Sequence, residues 1–142
     1  MKLIYLYHSG FALLGEGYTL IFDYFEDSVS ADKGIVHEQL LSREGRLYVF
    51  SSHAHADHFG GVLGIVTPQE VAARKLPVVA SEGFLEEATS ENVMVGTGMA
   101  RRSIYQFGRD LPRTAKGNVD TGLGKDVAYG SIGIMAPNHL IE

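Results

Sequence analysis

Three apolar runs open the chain. Residues 3–7, 11–14 and 18–24 are rich in Leu, Ile, Tyr and Phe, and Gly15-Glu16-Gly17 between the last two has the composition of a hairpin turn. The pattern predicts an N-terminal β-meander. After a polar stretch from Asp27 to Gly34, Ile35, Val36, Leu40 and Leu41 fall at the 3.6-residue spacing of a short amphipathic helix that Gly45 ends. A strand is predicted over Leu47–Phe50. Thr67-Pro68-Gln69-Glu70 reads as a capping box with proline in the first turn, opening a helix to about Lys75. Pro77–Ala80 returns as a strand, Phe84, Leu85 and Ala88 mark another short helix, and Met99–Phe107 a further one. Residues 108–126 read as a long surface loop, and Ala128–Ala136 as a closing strand.

Strands interleaved with short helices predict an α/β fold, and 142 residues without a linker-like stretch predict a single domain. Composition narrows the partners. A formal net charge of −5 repels polyanions, so nucleic acid is not an expected partner. His8 and Ser9 interrupt the first apolar run, no small-residue cleavage site follows it, and no stretch reaches the roughly 18 apolar residues of a membrane span. No membrane association and a cytoplasmic location are the expectation. The chain has no cysteine, so any metal must be held by histidine and carboxylate.

Between the Leu47–Phe50 strand and Gly60-Gly61 lies His53-Ala54-His55-Ala56-Asp57-His58. Residues two apart in an extended backbone project the same way, so His53 and His55 can share one ion while Asp57 and His58 face a second. With six histidines in the chain, chance produces this pattern at a rate on the order of 5 × 10⁻⁴. Two zinc ions about 3.5–4 Å apart can bridge a water and lower its pKa towards 7. The loop is therefore expected to bring His53, His55 and His58 to one centre, with Ala54 and Ala56 as small spacers that let it pack tightly.

The H-x-H-x-D-H pattern after a strand and before Gly60-Gly61 resembles the signature of the metallo-β-lactamase fold, an αββα sandwich. Within it, His53–Val62, Pro77–Val93, Met99–Arg102 and Val119–Lys125 are similar to alkyl sulfatases of the dodecyl-sulfate-hydrolysing kind, a likeness assigned to residues 53–141. Tyr7-His8-Ser9-Gly10-Phe11 and Leu20-Ile21-Phe22-Asp23-Tyr24 look more like the opening of small, generic hydrolases of the same fold, so the chain reads as a composite. The resemblance implies a hydrolase of small-molecule sulfate esters, with two zinc ions on His53, His55, Asp57 and His58 and with Asp57 orienting the attacking water. It also implies three further ligands, two glutamates and a histidine, beyond the matched region. A chain of this length is expected to supply about half of the sandwich, to be a weak catalyst alone, and to gain from a homodimer that covers its open face. Another ester or lactone hydrolase and a non-catalytic metal-binding module are the alternatives.

Other candidates stand below that motif. His8 and His37 are single histidines, of which His8 ends a strand. His139 reads as a surface residue at a free end. Arg101 and Arg102 point in different directions from one helix, so only one could reach a sulfate, and Glu82, Glu86, Glu87 and Glu91 form an acidic run. Asn92 is a candidate to position the loop beside it.

Overall fold

A computed structural model describes residues 1–24, 40–41, 44–116 and 132–142. Its centre is a six-stranded mixed sheet in the order β1-β2-β3-β4-β5-β6, formed by Lys2–Tyr7, Gly10–Gly15, Tyr18–Phe22, Arg46–Phe50, Val78–Ser81 and His139–Ile141. The first three strands are the expected meander, paired antiparallel through Leu3↔Leu13 and Leu13↔Leu20. From β3 onward the pairing is parallel, with Ile21↔Val49, Val49↔Val78 and Val79↔His139. Parallel neighbours need crossover connections, and these bring the helices onto the sheet.

The first helix, α1, is a single turn over Ala56–Phe59; α2 spans Pro68–Arg74, α3 Phe84–Thr89 and α4 Gly96–Phe107. The Thr67 hydroxyl accepts from Glu70 N–H while the Glu70 carboxylate accepts from Thr67 N–H, so the predicted capping box is complete. One face of the sheet buries Ala12, Leu14, Ile21, Leu47, Val49 and Val78 against Val62, Ile65, Val66 and Leu76. Burying a side chain of this size contributes about 1.5–3 kcal/mol, so this layer is the main source of cohesion. A second cluster joins Phe59, Ala80, Phe84 and Ala88, with Ala54 and Ala56 packed on it. The opposite sheet face is apolar too: register lines up Tyr5, Phe11, Phe22 and Phe50, and Phe22 stacks on Phe50 at 4.5 Å. Tyr5 and Phe11 remain 52% and 38% exposed, as the inner face of one half of a sandwich would be.

Three expectations change. The closing strand is not Ala128–Ala136: residues 132–136 form no strand, and the edge is His139–Ile141 instead. Gly133 N–H donates to Gly60 O, and the Asn138 side chain accepts from Val78 N–H and donates to Leu76 O, so this segment spends its polar groups on the Gly60 turn and the start of β5 before the ladder begins. His139 is exposed but lies in that strand, not at a free end. Helix α4 begins at Gly96, three residues before the predicted Met99; Gly96 and Gly98 hid its first turn, which grows out of a π turn over Ser90–Met94. The helix predicted over 35–41 lies outside the described residues except for Leu40 and Leu41, of which Leu40 is buried in the core. His37 and 117–131 lie outside them as well.

Candidate metal centre

Strand β4 ends at Phe50, and the chain leaves the sheet through Ser51 to His55 before turning into α1. The predicted loop is thus half loop and half helix: His58 N–H donates to His55 O and Gly60 N–H to Ala56 O, which places Asp57 and His58 on one helical turn. Gly60 is required there, because a Cβ would meet Ala56 O at 2.6 Å. Beneath the loop, Ala54 and Ala56 rest on the Phe59–Phe84 pair, whose rings meet edge to face at 5.6 Å. Asn92 closes the other side, its side-chain amide donating to Ala54 O at 3.2 Å and Ala88 O at 2.8 Å. This is the loop-positioning role its sequence neighbourhood suggested.

The three imidazoles gather, with ring centres 3.8 Å apart for His53 and His58, 4.7 Å for His53 and His55, and 6.5 Å for His55 and His58. Their polar atoms close on neighbours instead of a common point. His55 Nε2 lies 3.2 Å from Glu91 Oε1, so one member of the acidic run reaches the cluster while Glu82, Glu86 and Glu87 are exposed. His58 Nδ1 lies 3.0 Å from Asp23 Oδ2, and its Nε2 3.4 Å from Asp57 Oδ2. Among the described residues no group of three or more His, Asp or Glu side chains is arranged to hold a metal ion.

The donor chemistry nevertheless fits a cation. Asp23 accepts from Ser52 N–H and from the Ser52 hydroxyl, both at 2.7 Å, and from His58 Nδ1–H. Because Ser52 gives its proton to Asp23, its oxygen faces His53 Nδ1 as an acceptor at 3.1 Å. Both imidazoles are therefore pinned through Nδ1, His58 by the Asp23 carboxylate and His53 by the Ser52 hydroxyl, leaving Nε2 as the nitrogen available to an ion, as outer-shell partners orient metal ligands. Burial, followed by the neighbouring His58 and His55, holds His53 below the usual histidine value, a shift towards the neutral form that binds metal. Burial alone would lower His58, but the Asp23 hydrogen bond and the charges of Asp57 and Asp23 raise it. For Asp57, burial opposes ionisation; the His8 hydrogen bond and the His58 charge outweigh it, so the carboxyl sits below its usual range.

Residues 8–140 match the profile of the Metallo-beta-lactamase superfamily. The chain belongs to this superfamily. A stereoselective inverting sec-alkylsulfatase from Pseudomonas sp., known as Pisa1, superposes with a TM-score of 0.75 at 38% identity, covering 94% of this chain and 21% of that one. An (R)-specific secondary-alkylsulfatase from Pseudomonas sp. is 50% identical over 95 residues, and an alkyl/aryl-sulfatase from Saccharomyces cerevisiae 43% identical over 94. Each alignment takes in 66% of this chain, which spans 14% and 15% of the length of those relatives. A UPF0173 metal-dependent hydrolase from Azorhizobium caulinodans is 35% identical over 88 residues, 60% of this chain and 36% of that protein. The α/β metallo-β-lactamase fold and the alkyl sulfatase resemblance expected from sequence both stand.

Sequence reasoning marked the four residues of the motif and weighed His8 as a lone histidine ending a strand, but it did not single out Asp23 or Ser52. Asp23, Ser52 and His8 are each tied to the motif by side-chain bonds, and Asp23 and His8 come from 34 and 49 residues upstream of Asp57. The available signal was positional: both end apolar strands, where a loop displays polar groups. Arg101 and Arg102 are exposed on α4, and His139 lies on the edge strand with no bond to the cluster. No helix among the described residues is long and apolar enough to cross a membrane.

Proposed function

We propose that this chain carries the metal-binding loop of a zinc-dependent hydrolase acting on alkyl sulfate esters, with His53, His55, Asp57 and His58 as the ligands. The observation that carries this reading is the gathering of those side chains with the Nδ1 atoms of His53 and His58 held from behind. Zinc, when bound, supplies Lewis acidity and a water acidic enough to ionise near neutral pH. The residues do the rest. His53 and His58 present Nε2, and Asp57 balances cationic charge and, half exposed beside His58, accepts a proton from or orients the attacking water. Asp23 and Asn92 keep the loop from relaxing while the charge changes. A cation is also what lets an anionic ester approach a chain of net charge −5. A hydrolase of another ester is the second reading, favoured by the likeness to a metal-dependent hydrolase.

The test is metal content after dialysis together with dodecyl sulfate turnover in added zinc. Retained zinc, weak zinc-dependent sulfate release, loss of release in Asp57→Asn, and zinc binding weakened more than the roughly 10–100-fold of an outer-shell change in His55→Ala are expected. Equal zinc in wild type and His55→Ala removes the site; robust turnover that survives Asp57→Asn removes the mechanism.

A further inference from the structure

The tip of the β1–β2 hairpin is made of His8 and Ser9, between the paired Tyr7 and Gly10. A hairpin tip ordinarily points its side chains into water. Here both residues are only 7% exposed, and both reach the same residue of the metal loop. His8 Nε2 donates to Asp57 Oδ2 at 2.9 Å, and the Ser9 hydroxyl donates to Asp57 O at 3.3 Å. His8 also holds a left-handed backbone, φ 53°, which turns take most readily with Gly, Asn or Asp. Of the three non-glycine residues with positive φ among those described, His8 and Asp23 both contact the motif. Strained backbone kept at a contact with functional groups is where a fold places orienting residues.

We propose that His8 is a positioning residue: it fixes the carboxylate of Asp57 towards the metal, while Ser9 merely ties the hairpin to the loop. This rests on the zinc hydrolase reading. The physical reason is that α1 is one turn long and cannot by itself hold the Asp57 side chain, which is 39% exposed and free to swing into solvent. A buried, conformationally fixed donor removes that freedom at Oδ2, the same oxygen that lies 3.4 Å from His58 Nε2, and so sets the direction of the whole carboxylate. Outer-shell donors of this kind act on affinity and ligand geometry, without touching the substrate.

Two variants separate this from a purely structural contact. His8→Asn suits the left-handed backbone but is too short to reach Asp57; His8→Gln keeps a donor of similar reach. In the full chain, zinc affinity is measured by competition with a chelator, and the ligand field by the visible absorption of the cobalt(II) form. His8→Asn should bind zinc about 10–100-fold more weakly and shift the cobalt bands, while the metal-free protein, less stable for the lost buried hydrogen bond, stays folded at the assay temperature. His8→Gln should recover most of the affinity and the wild-type bands, and Ser9→Ala should leave the bands alone. A His8→Asn protein with wild-type affinity and bands overturns the proposal, as does a folded His8→Gln no better than His8→Asn. A wild type that binds neither zinc nor cobalt overturns the hydrolase reading first, and the proposal with it.

Discussion

Asp23 is the point at which the His53–His58 loop is fastened to the sheet, and its removal should be felt in three measurements. Its carboxylate accepts from Ser52 N–H and Ser52 Oγ–H at 2.7 Å each and from His58 Nδ1–H at 3.0 Å, while the residue itself is 7% exposed. Hydrogen bonds to a charged acceptor are worth about 1.5–3 kcal/mol each, but Ser52 is exposed and water replaces much of its share. Asp23 also has φ 50°, a conformation that Asp and Asn tolerate and alanine resists. Together these give a destabilisation of about 3 kcal/mol for Asp23→Ala, about a hundredfold in the folded-to-unfolded ratio. Asp23→Asn keeps the left-handed backbone and an acceptor for Ser52 N–H, so about 1 kcal/mol is expected. Urea unfolding of the metal-free chain, with the slope compared between variants, reads both values. The same Asn substitution removes the hydrogen bond and charge that raise His58, so its titration should fall back towards 6.5. Zinc affinity should drop about 10–100-fold, as for loss of an orienting carboxylate. Equal costs for Ala and Asn, or a cost below about 0.5 kcal/mol for Ala, would show that the fastening is not made.

Two further outcomes follow from the same geometry. In the metal-free protein, imidazole resonances should show His58 titrating above 6.5 and His53 below it, the reverse order being fatal to the pinned-Nδ1 description. The linkage has opposite signs: stability from protonated His58 is fully present below 6.5 and lost as pH rises through its folded value, whereas His53 costs stability as pH falls from 6.5 through its lowered value. Phe84→Ala should cost about 3–5 kcal/mol, because Phe84 is 3% exposed and meets Phe59 edge to face under the loop. Its zinc affinity should fall as well, and a variant with reduced stability but unchanged affinity would disprove the support assigned to that cluster.

The sequence alone determined the local elements. The apolar runs at 3–7, 11–14 and 18–24 became β1 to β3, the Thr67–Glu70 box became the start of α2, and the H-x-H-x-D-H spacing marked where three imidazoles gather. Each rests on interactions within a few residues, which composition and spacing record directly. What only tertiary structure decided is which distant residues meet. Asp23 reaches His58 across 35 positions, His8 reaches Asp57 across 49, and the edge strand His139–Ile141 pairs with Val79–Ser81 across 60. The apolar face of Phe11, Phe22 and Phe50 likewise exists only once the register is set. Such contacts are chosen by the free energy of the packed sheet, and loop closure over tens of residues leaves no periodic mark on the chain.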